Sequence, residues 1–173
     1  MTITFPDATY IGNRKKLEEW AASNNIAMTI RTQASSSANE PGTFTIYDHA
    51  TNNAYSLGQT IIIKKSEIGN LQVECVYYEK TYSINSDSTS VYPGGQAHFS
   101  HNAADGEHVT WKFRDGVGAD IADLSPDGTL TVRADAPVGA TIQVYAEIKT
   151  SKNAKFESNT ITVSVIANVQ PDQ

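Results

Sequence analysis

Four histidines, His49, His98, His101 and His108, are the side chains best suited to act as a general base or a metal ligand. Nucleophilic catalysis needs a serine, threonine or cysteine beside such a base, and the sequence contains no G-x-S-x-G turn to present one. The last three histidines could surround a metal ion, but their spacing matches neither a zinc-binding helix nor a zinc knuckle. We therefore expect solvated loop histidines, with a metal site on these three as the alternative.

The stretch "DGVGADIADLSPDG" gathers the aspartates Asp115, Asp120, Asp123 and Asp127, whose oxygen atoms would suit calcium. The stretch lacks the D-x-D-x-D-G spacing and the terminal glutamate of a calcium-binding hand. Aspartate is also common in turns, because its side chain bonds to nearby backbone groups. Turn formation is the favoured interpretation of this stretch, and a calcium site is the alternative.

The rest of the sequence gives no sign of catalysis. Phosphate-binding loops and dinucleotide fingerprints are absent, and no cleft is expected that could hold a pair of glycosidase carboxylates. The single cysteine, Cys75, alternates with Val73 and Tyr77 in "LQVECVYYE", which predicts a buried apolar residue rather than a reactive thiol. We predict a protein that is not an enzyme and has no catalytic residue, cofactor or metal ion.

The charge of the chain argues against nucleic acid as a partner. The formal net charge is −6; residues 1–76 carry six Lys/Arg against seven Asp/Glu, and residues 77–173 carry seven against twelve. Proteins bind phosphate backbones through clustered Lys and Arg, and the basic clusters here are limited to Arg14-Lys15-Lys16 and Lys64-Lys65. A polyanion would therefore meet net repulsion.

The sequence also gives no reason to expect a membrane partner. No stretch approaches the roughly 20 apolar residues that a bilayer-spanning helix needs. The first residues, "MTITFPDATYIGNRKK", lack the basic start and apolar run of a secretory signal. We expect synthesis in the cytoplasm without export by a signal peptide.

The first group of predicted elements opens with an amphipathic helix. Asn13 is a predicted N-cap, and the i, i+3, i+4 spacing of Leu17, Trp20 and Ala21 predicts one buried stripe. Asn24-Asn25 predicts the end of the helix, since Asn tolerates the left-handed conformation common there. We interpret Trp20 as core packing rather than a sugar platform. Three strands are predicted to follow, in "IAMTIRT", "TFTIYDHA" and "QTIIIKKS".

Residues 1–70 combine several landmarks in order. They are the Ile11-Gly12 entry, the helical run at residues 17–21, the Pro41-Gly42-Thr43 turn, and Gly58 before the last strand. In these features the segment resembles a PASTA domain, a bacterial module in which one helix packs across a small β-sheet. The resemblance implies an α+β module with one helix on a three-stranded sheet. It also implies cell-wall fragments as ligands, since these are proposed for the family.

After residue 70 the hydrophobic period changes from 3.6 to 2, so we place a second module at residues 71–173. The segment "EIGNLQVECVYYEKTYSI" is predicted to be a strand that runs from the first module into the second. Further strands are predicted in "VTWKF", "TIQVYAEI" and "TITVSVI", separated by turns rich in Pro, Asp and Gly. About seven short strands with such turns are typical of a β-sandwich.

The second module also carries landmarks in a known order. They are Pro93-Gly94-Gly95 before a strand, Trp111 on the next strand, the turn and strand at residues 127–132, and the alternating run from Ile142 to Ala146. In these features it is similar to the bacterial Ig-like group 2 family, found on bacterial surface proteins and fused to phage structural proteins. The resemblance implies an Ig-like β-sandwich and a mainly β chain. No antibody-type disulfide can form, so we expect Trp111 to pack against aliphatic residues.

The two resemblances together favour a bacteriophage virion protein, either a capsid decoration, a head fibre or a tail subunit. One module would attach to phage capsid or tail proteins in multiple copies, and the other would be displayed for weak host-surface adhesion. The expected location is the virion. The alternative is a cell-wall-binding fragment of a bacterial surface protein, located at the cell surface and bound to cell-wall glycan or peptidoglycan. No binding residue is singled out by the sequence.

Overall fold

The computed structural model describes residues 1–169 and shows a mainly β protein, as predicted. This part of the chain contains fifteen strands and one α-helix, and no helix in it is long and apolar enough to cross a bilayer. The chain forms two compact units. The front unit is Met1–Lys80 with Lys152–Ala154, and the rear unit is Thr81–Ser151 with the chain from Lys155 onward. Residues 170–173 of the predicted second module lie outside the described residues.

The front unit contains one helix, a four-stranded sheet and a two-stranded ribbon. The sheet has the order β2-β6-β3-β4, in which β2 is parallel to β6 and the other neighbours are antiparallel. Strands β1 and β5 form the separate antiparallel ribbon. In chain order the elements are β1 (Thr2–Thr4), α1 (Arg14–Ser23), β2 (Met28–Ala34), β3 (Phe44–Asp48), β4 (Ala54–Tyr55), β5 (Thr60–Ile62) and β6 (Val73–Glu79).

Strand pairing in the front unit differs from the sequence-based expectation in two ways. The segment "QTIIIKKS" forms β5, but it pairs with β1 rather than joining the sheet, which has four strands and not three. The segment expected to connect the modules supplies β6, which lies between β2 and β3. The division between the units therefore falls after Lys80 rather than after residue 70. Alternation predicts which side of a strand is buried but not which strand lies beside it.

Helix α1 begins and ends as predicted. The Asn13 side chain accepts a hydrogen bond from the backbone N–H of Lys16 at 2.9 Å, and Asn25, just past the helix end, has a φ of 54°. Leu17, Trp20 and Ala21 are buried. They pack on one face of the sheet, in a core that includes Phe44, Ile46, Val73, Cys75 and Tyr77. The prediction of Trp20 as core packing is confirmed by its exposure of only 7%.

The rear unit is a sandwich of two sheets around one core. One sheet has the order β11-β12-β9-β7, and the other has β10-β13-β15-β8 with β14 beside β13. In chain order the strands are β7 (Ile84–Ser86), β8 (Ser90–Val91), β9 (Gln96–His101), β10 (His108–Phe113), β11 (Ala122–Leu124), β12 (Thr129–Val132), β13 (Thr141–Lys149), β14 (Lys155–Glu157) and β15 (Ile161–Val165). This is the strand order of an immunoglobulin-type sandwich.

The rear core follows the predicted alternation, but some predicted inward residues are only partly buried, namely Val109, Trp111, Phe113 and Ile161. The other inward residues of β13 and β15 are buried as predicted, with Ile142, Val144 and Val163 at 0% exposure. Trp111 is only half-buried, and its ring lies 5.7 Å from the Phe99 ring, so its partners are not aliphatic alone. Phe99 is in β9 and Trp111 in β10, which follow each other in the chain but lie in opposite sheets, and alternation within one strand does not encode this contact.

Candidate binding face of the front unit

The outer face of the front sheet, opposite α1, carries a polar cluster centred on Glu74. The neighbours of Glu74 in β6 point into the core, so alternation places its side chain on the outer face. Glu74 lies directly opposite Tyr47 of β3. Arg31 lies diagonally across in β2, and His49 follows the end of β3. We call Arg31, Tyr47, His49 and Glu74 the Glu74 cluster.

Three donors converge on the Glu74 carboxylate. Arg31 Nε lies 3.2 Å from Oε1, and His49 Nδ1 lies 2.9 Å from Oε2. Tyr47 of β3 lies directly opposite Glu74, and its hydroxyl is a third donor group beside this carboxylate. The Glu74 side chain is 13% exposed, whereas the side chains of Arg31 and His49 are 60% and 66% exposed. The acceptor is therefore held in place while two of its donors remain open to solvent.

These contacts shift the pKa values of Glu74 and Tyr47. The hydrogen bond from Tyr47 is the main cause that lowers the pKa of Glu74, and the charges of His49 and Arg31 add to it. The same hydrogen bond is the main cause that raises the pKa of Tyr47. Glu74 is therefore a carboxylate and Tyr47 a neutral donor at neutral pH.

A tight loop positions His49. Asp48 Oδ1 accepts from the backbone N–H of Ala50 at 3.0 Å, and Asp48 Oδ2 accepts from the Thr51 hydroxyl at 3.1 Å. The backbone N–H of His49 donates to the Gln72 carbonyl at 2.6 Å, next to the start of β6. The His49 ring lies 6.4 Å from the Tyr47 ring at an interplanar angle of 45°. The loop thus holds the imidazole beside the strand that carries Glu74.

This arrangement can bind a polar ligand. A carboxylate offers about four acceptor positions, and three donors reach this one. The guanidinium of Arg31 has N–H groups besides Nε, and most of the side chain is exposed. The Glu74 carboxylate is an acceptor, and His49 Nδ1 lies 2.9 Å from it. The face therefore presents an acceptor, the Glu74 carboxylate, beside a donor, the Arg31 guanidinium.

The structure does not bring the other three histidines together. All are exposed, and they lie on strands rather than in loops: His98 and His101 in β9, and His108 in β10. His98 Nδ1 lies 2.9 Å from Asp87 Oδ2, and His101 Nδ1 accepts from a backbone N–H at 3.1 Å. Within residues 1–169, no three His, Cys, Asp or Glu side chains form a group that could hold a metal ion.

The aspartates of the predicted turn region make local bonds. Asp127 accepts from the Ser125 hydroxyl and from the backbone N–H of Thr129 at 3.0 Å. The bond from Ser125 is the main cause that lowers the pKa of Asp127. Asp123 lies 3.7 Å from a nitrogen of Arg133. The local bonds of Asp127 agree with its interpretation as turn chemistry, whereas Asp123 contacts the side chain of Arg133, just past β12.

Cys75 has the environment that the alternation predicted. It is 0% exposed in the core beneath α1, and burial raises the pKa of its thiol to about 12. The prediction of a buried apolar residue is confirmed.

The sequence alone does not indicate that Arg31, Tyr47 and Glu74 form a group. One signal was present, because Glu74 interrupts "VECVYYE" with a charge between two buried positions. A charged residue at the centre of a sheet needs partners on the strands beside it. Only the folded structure shows that these strands are β2 and β3.

Comparisons with known proteins give distant matches. No protein-family model matches the chain, and no curated protein matches it. A crystal structure of murine CEACAM1b matches with 12% identity and a TM-score of 0.36, covering 71% of this chain and 85% of that one. A SusE-like surface-located polysaccharide-binding protein from the Bacteroides thetaiotaomicron heparin utilisation locus matches with 17% identity and a TM-score of 0.34. That match covers 82% of this chain and 26% of the other. The strand order alone identifies the rear unit as an immunoglobulin-type sandwich.

Proposed function

We propose that this chain is a non-enzymatic accessory protein of a bacteriophage particle, either a capsid decoration, a head fibre or a tail subunit. One unit attaches to capsid or tail proteins, and the other is displayed for weak adhesion to the host surface. The observation that carries the proposal is the strand order of the rear unit, an immunoglobulin-type sandwich built without a disulfide. It supports membership of the bacterial Ig-like group 2 family, which is fused to many phage structural proteins.

The front unit contributes the second part of the proposal. A single helix on one face of a sheet supports a PASTA-like module, although the sheet has four strands and the ribbon β1-β5 lies apart from it. The opposite face of that sheet carries the Glu74 cluster. We assign host-surface contact to this cluster. A contact of this size is weak in one copy and gains strength through many copies on one particle.

The test of the virion location is the composition of the particle. Particles are purified by two density gradients from a lysate of cells that produce this chain, and their proteins are quantified by mass spectrometry. We expect the chain in multiple copies per particle, at a constant ratio to the major capsid protein across gradient fractions. Its absence from particles that still contain the capsid and tail proteins would overturn the proposal.

A cell-wall-binding fragment of a bacterial surface protein is the second candidate. The Glu74 cluster favours it, because exposed Arg and His donors beside a fixed carboxylate suit a glycan. Fractionation separates the two candidates. The chain follows the cell envelope in the absence of particles if it is a surface protein, and it sediments with insoluble peptidoglycan sacculi in a pull-down. A subunit that only builds the particle remains in the supernatant of that pull-down.

A further inference from the structure

We infer that the Glu74 cluster is a subsite for an uncharged sugar, bound through two neighbouring hydroxyl groups. The inference rests on the adhesion role proposed above and names the ligand class of the same face. One hydroxyl donates to Glu74, and the next accepts from Arg31.

The geometry supplies the first of these bonds. Arg31 Nε lies 3.2 Å from Glu74 Oε1 and His49 Nδ1 lies 2.9 Å from Oε2, while the Glu74 side chain is still 13% exposed. A carboxylate has about four acceptor positions, so these two contacts do not use all of them. A hydroxyl group can reach a remaining position as a donor. A carboxylate or phosphate ligand has no proton to donate there and would be repelled by Glu74.

The second bond comes from the same side of the cluster. The Nε group of Arg31 faces Glu74 Oε1 at 3.2 Å, and the side chain is 60% exposed. Its remaining N–H groups are donors that need an acceptor. A hydroxyl is both a donor and an acceptor, so a pair of neighbouring hydroxyls matches a carboxylate beside a guanidinium. Each sugar hydroxyl can then exchange its water partner for a charged one.

Preorganisation reduces the cost of binding. Glu74 is held by three donors, and His49 is held by the Asp48 loop. Fewer side-chain rotamers are lost when such groups take up a ligand.

Charge points to a neutral ligand. The charges of Arg31 and Glu74 cancel within the pair, and the whole chain carries −6 at pH 7. A polyanion such as a uronate polymer is repelled at long range. A neutral polysaccharide meets no such barrier.

The test uses the full chain labelled with ¹⁵N and three soluble neutral polysaccharides, namely galactomannan, mannan and laminarin. We expect saturable amide shifts for at least one of them, centred on Arg31, Tyr47 and Glu74. Periodate cleaves the bond between neighbouring hydroxyl-bearing carbons, so oxidised polysaccharide should no longer cause these shifts. Polygalacturonate, which is acidic, should not bind.

Two variants localise the effect. Glu74→Gln and Arg31→Gln should each weaken binding by at least about tenfold, since each removes one charged hydrogen bond. Arg31→Gln changes an exposed side chain, so it tests the subsite even if Glu74→Gln perturbs the fold. Glu147→Gln, on the outer face of the rear unit, is the matched control and should bind normally.

Three results would overturn the inference: no shifts with any of the three polysaccharides, unchanged binding in Arg31→Gln, or tighter binding of polygalacturonate than of the neutral chains. The outcome is separate from that of the virion test. If the chain copurifies with particles but binds none of the three polysaccharides, only the inference of a sugar subsite is wrong. If it binds one of them but is absent from particles, only the proposed virion location is wrong.

Discussion

The outer sheet faces of the two units use the same residue types, Arg, Glu and Tyr, in different arrangements. On the rear face each carboxylate has its own cation. Lys112 Nζ lies 3.1 Å from Glu147, and Arg114 lies 2.9 Å from Glu157. On the front face three donors share the single carboxylate of Glu74.

The two faces have similar residue types, so they differ in which side chains contact each other and in how much of each cation stays exposed. Arg114 stacks over the Tyr145 ring at 3.5 Å and also donates to the Thr160 hydroxyl, so only 25% of its side chain is exposed. Arg31 has no such cover and is 60% exposed. Arg114 is therefore largely occupied by contacts within the rear unit, whereas Arg31 on the front face is available to a ligand.

The largest expected effects come from truncation of the two cores. Leu17 in the front unit and Leu130 in the rear unit are both 0% exposed. Leu17→Ala and Leu130→Ala should each lower the free energy of unfolding by about 3 kcal/mol, because each leaves a cavity. Hydrogen exchange followed by mass spectrometry should show faster opening in peptides of the altered unit. In the front unit, labelling of the Cys75 thiol should accelerate with it. Equal acceleration in both units by either variant would contradict the description of two separate cores.

The next largest effect is expected at Gly118, which lies close to the backbone of β13 in the rear unit. A Cβ on Gly118 would lie 2.8 Å from Ile142 Cα in β13, whereas a Cβ on Gly139 would meet no atom within 4 Å. Both glycines have a φ of 93°. Gly139→Ala should cost about 1–2 kcal/mol from the left-handed backbone alone, and Gly118→Ala should cost about 1–3 kcal/mol more from the clash. Urea denaturation measures the difference, and equal midpoints would show that the loop moves away from β13.

A smaller loss of stability is expected when the carboxylate of Glu74 or of Glu147 is replaced by an amide. Glu74→Gln removes the charge that three donors contact, and Glu147→Gln removes the charge that one lysine contacts. We expect Glu74→Gln to lower the urea midpoint of the front unit more than Glu147→Gln lowers that of the rear unit. Hydrogen exchange at increasing urea concentration gives both midpoints in one experiment. A larger loss for Glu147→Gln would reverse the comparison.

The smallest expected effect is the pH dependence of the stability that the Glu74 carboxylate contributes. The lowered pKa of Glu74, caused mainly by Tyr47, means that its stabilising effect is complete above the ordinary carboxyl range. It is lost as the pH falls through the lowered pKa of the folded state. The difference in unfolding free energy between the natural chain and Glu74→Gln should therefore be largest near pH 7 and shrink towards pH 3. Asp87 and Asp127 also have lowered pKa values, so only this difference isolates Glu74. A difference that is constant across this range would show that the carboxylate charge is not the cause.

Much of the local structure could be predicted from the sequence. The Asn13 cap, the buried stripe of Leu17, Trp20 and Ala21, and the burial of Cys75 all follow from local spacing. The alternation in β10, β13 and β15 likewise predicted those strands. The signal is strong there because each residue's environment repeats with the period of its own element.

The candidate site could not be predicted in the same way. Its members are Arg31, Tyr47, His49 and Glu74, drawn from three strands and a loop. They come together because β6 lies between β2 and β3, a pairing that alternation within each strand does not predict.

The sequence by itself determined which side of each strand is apolar, where the helix begins and ends, and that Cys75 is buried. The tertiary structure alone decided that β6 is a central strand, that β5 pairs with β1, and that Glu74 has three donors. The physical reason is that side-chain alternation is a property of one strand, whereas strand order follows from burying the surfaces of all strands at once.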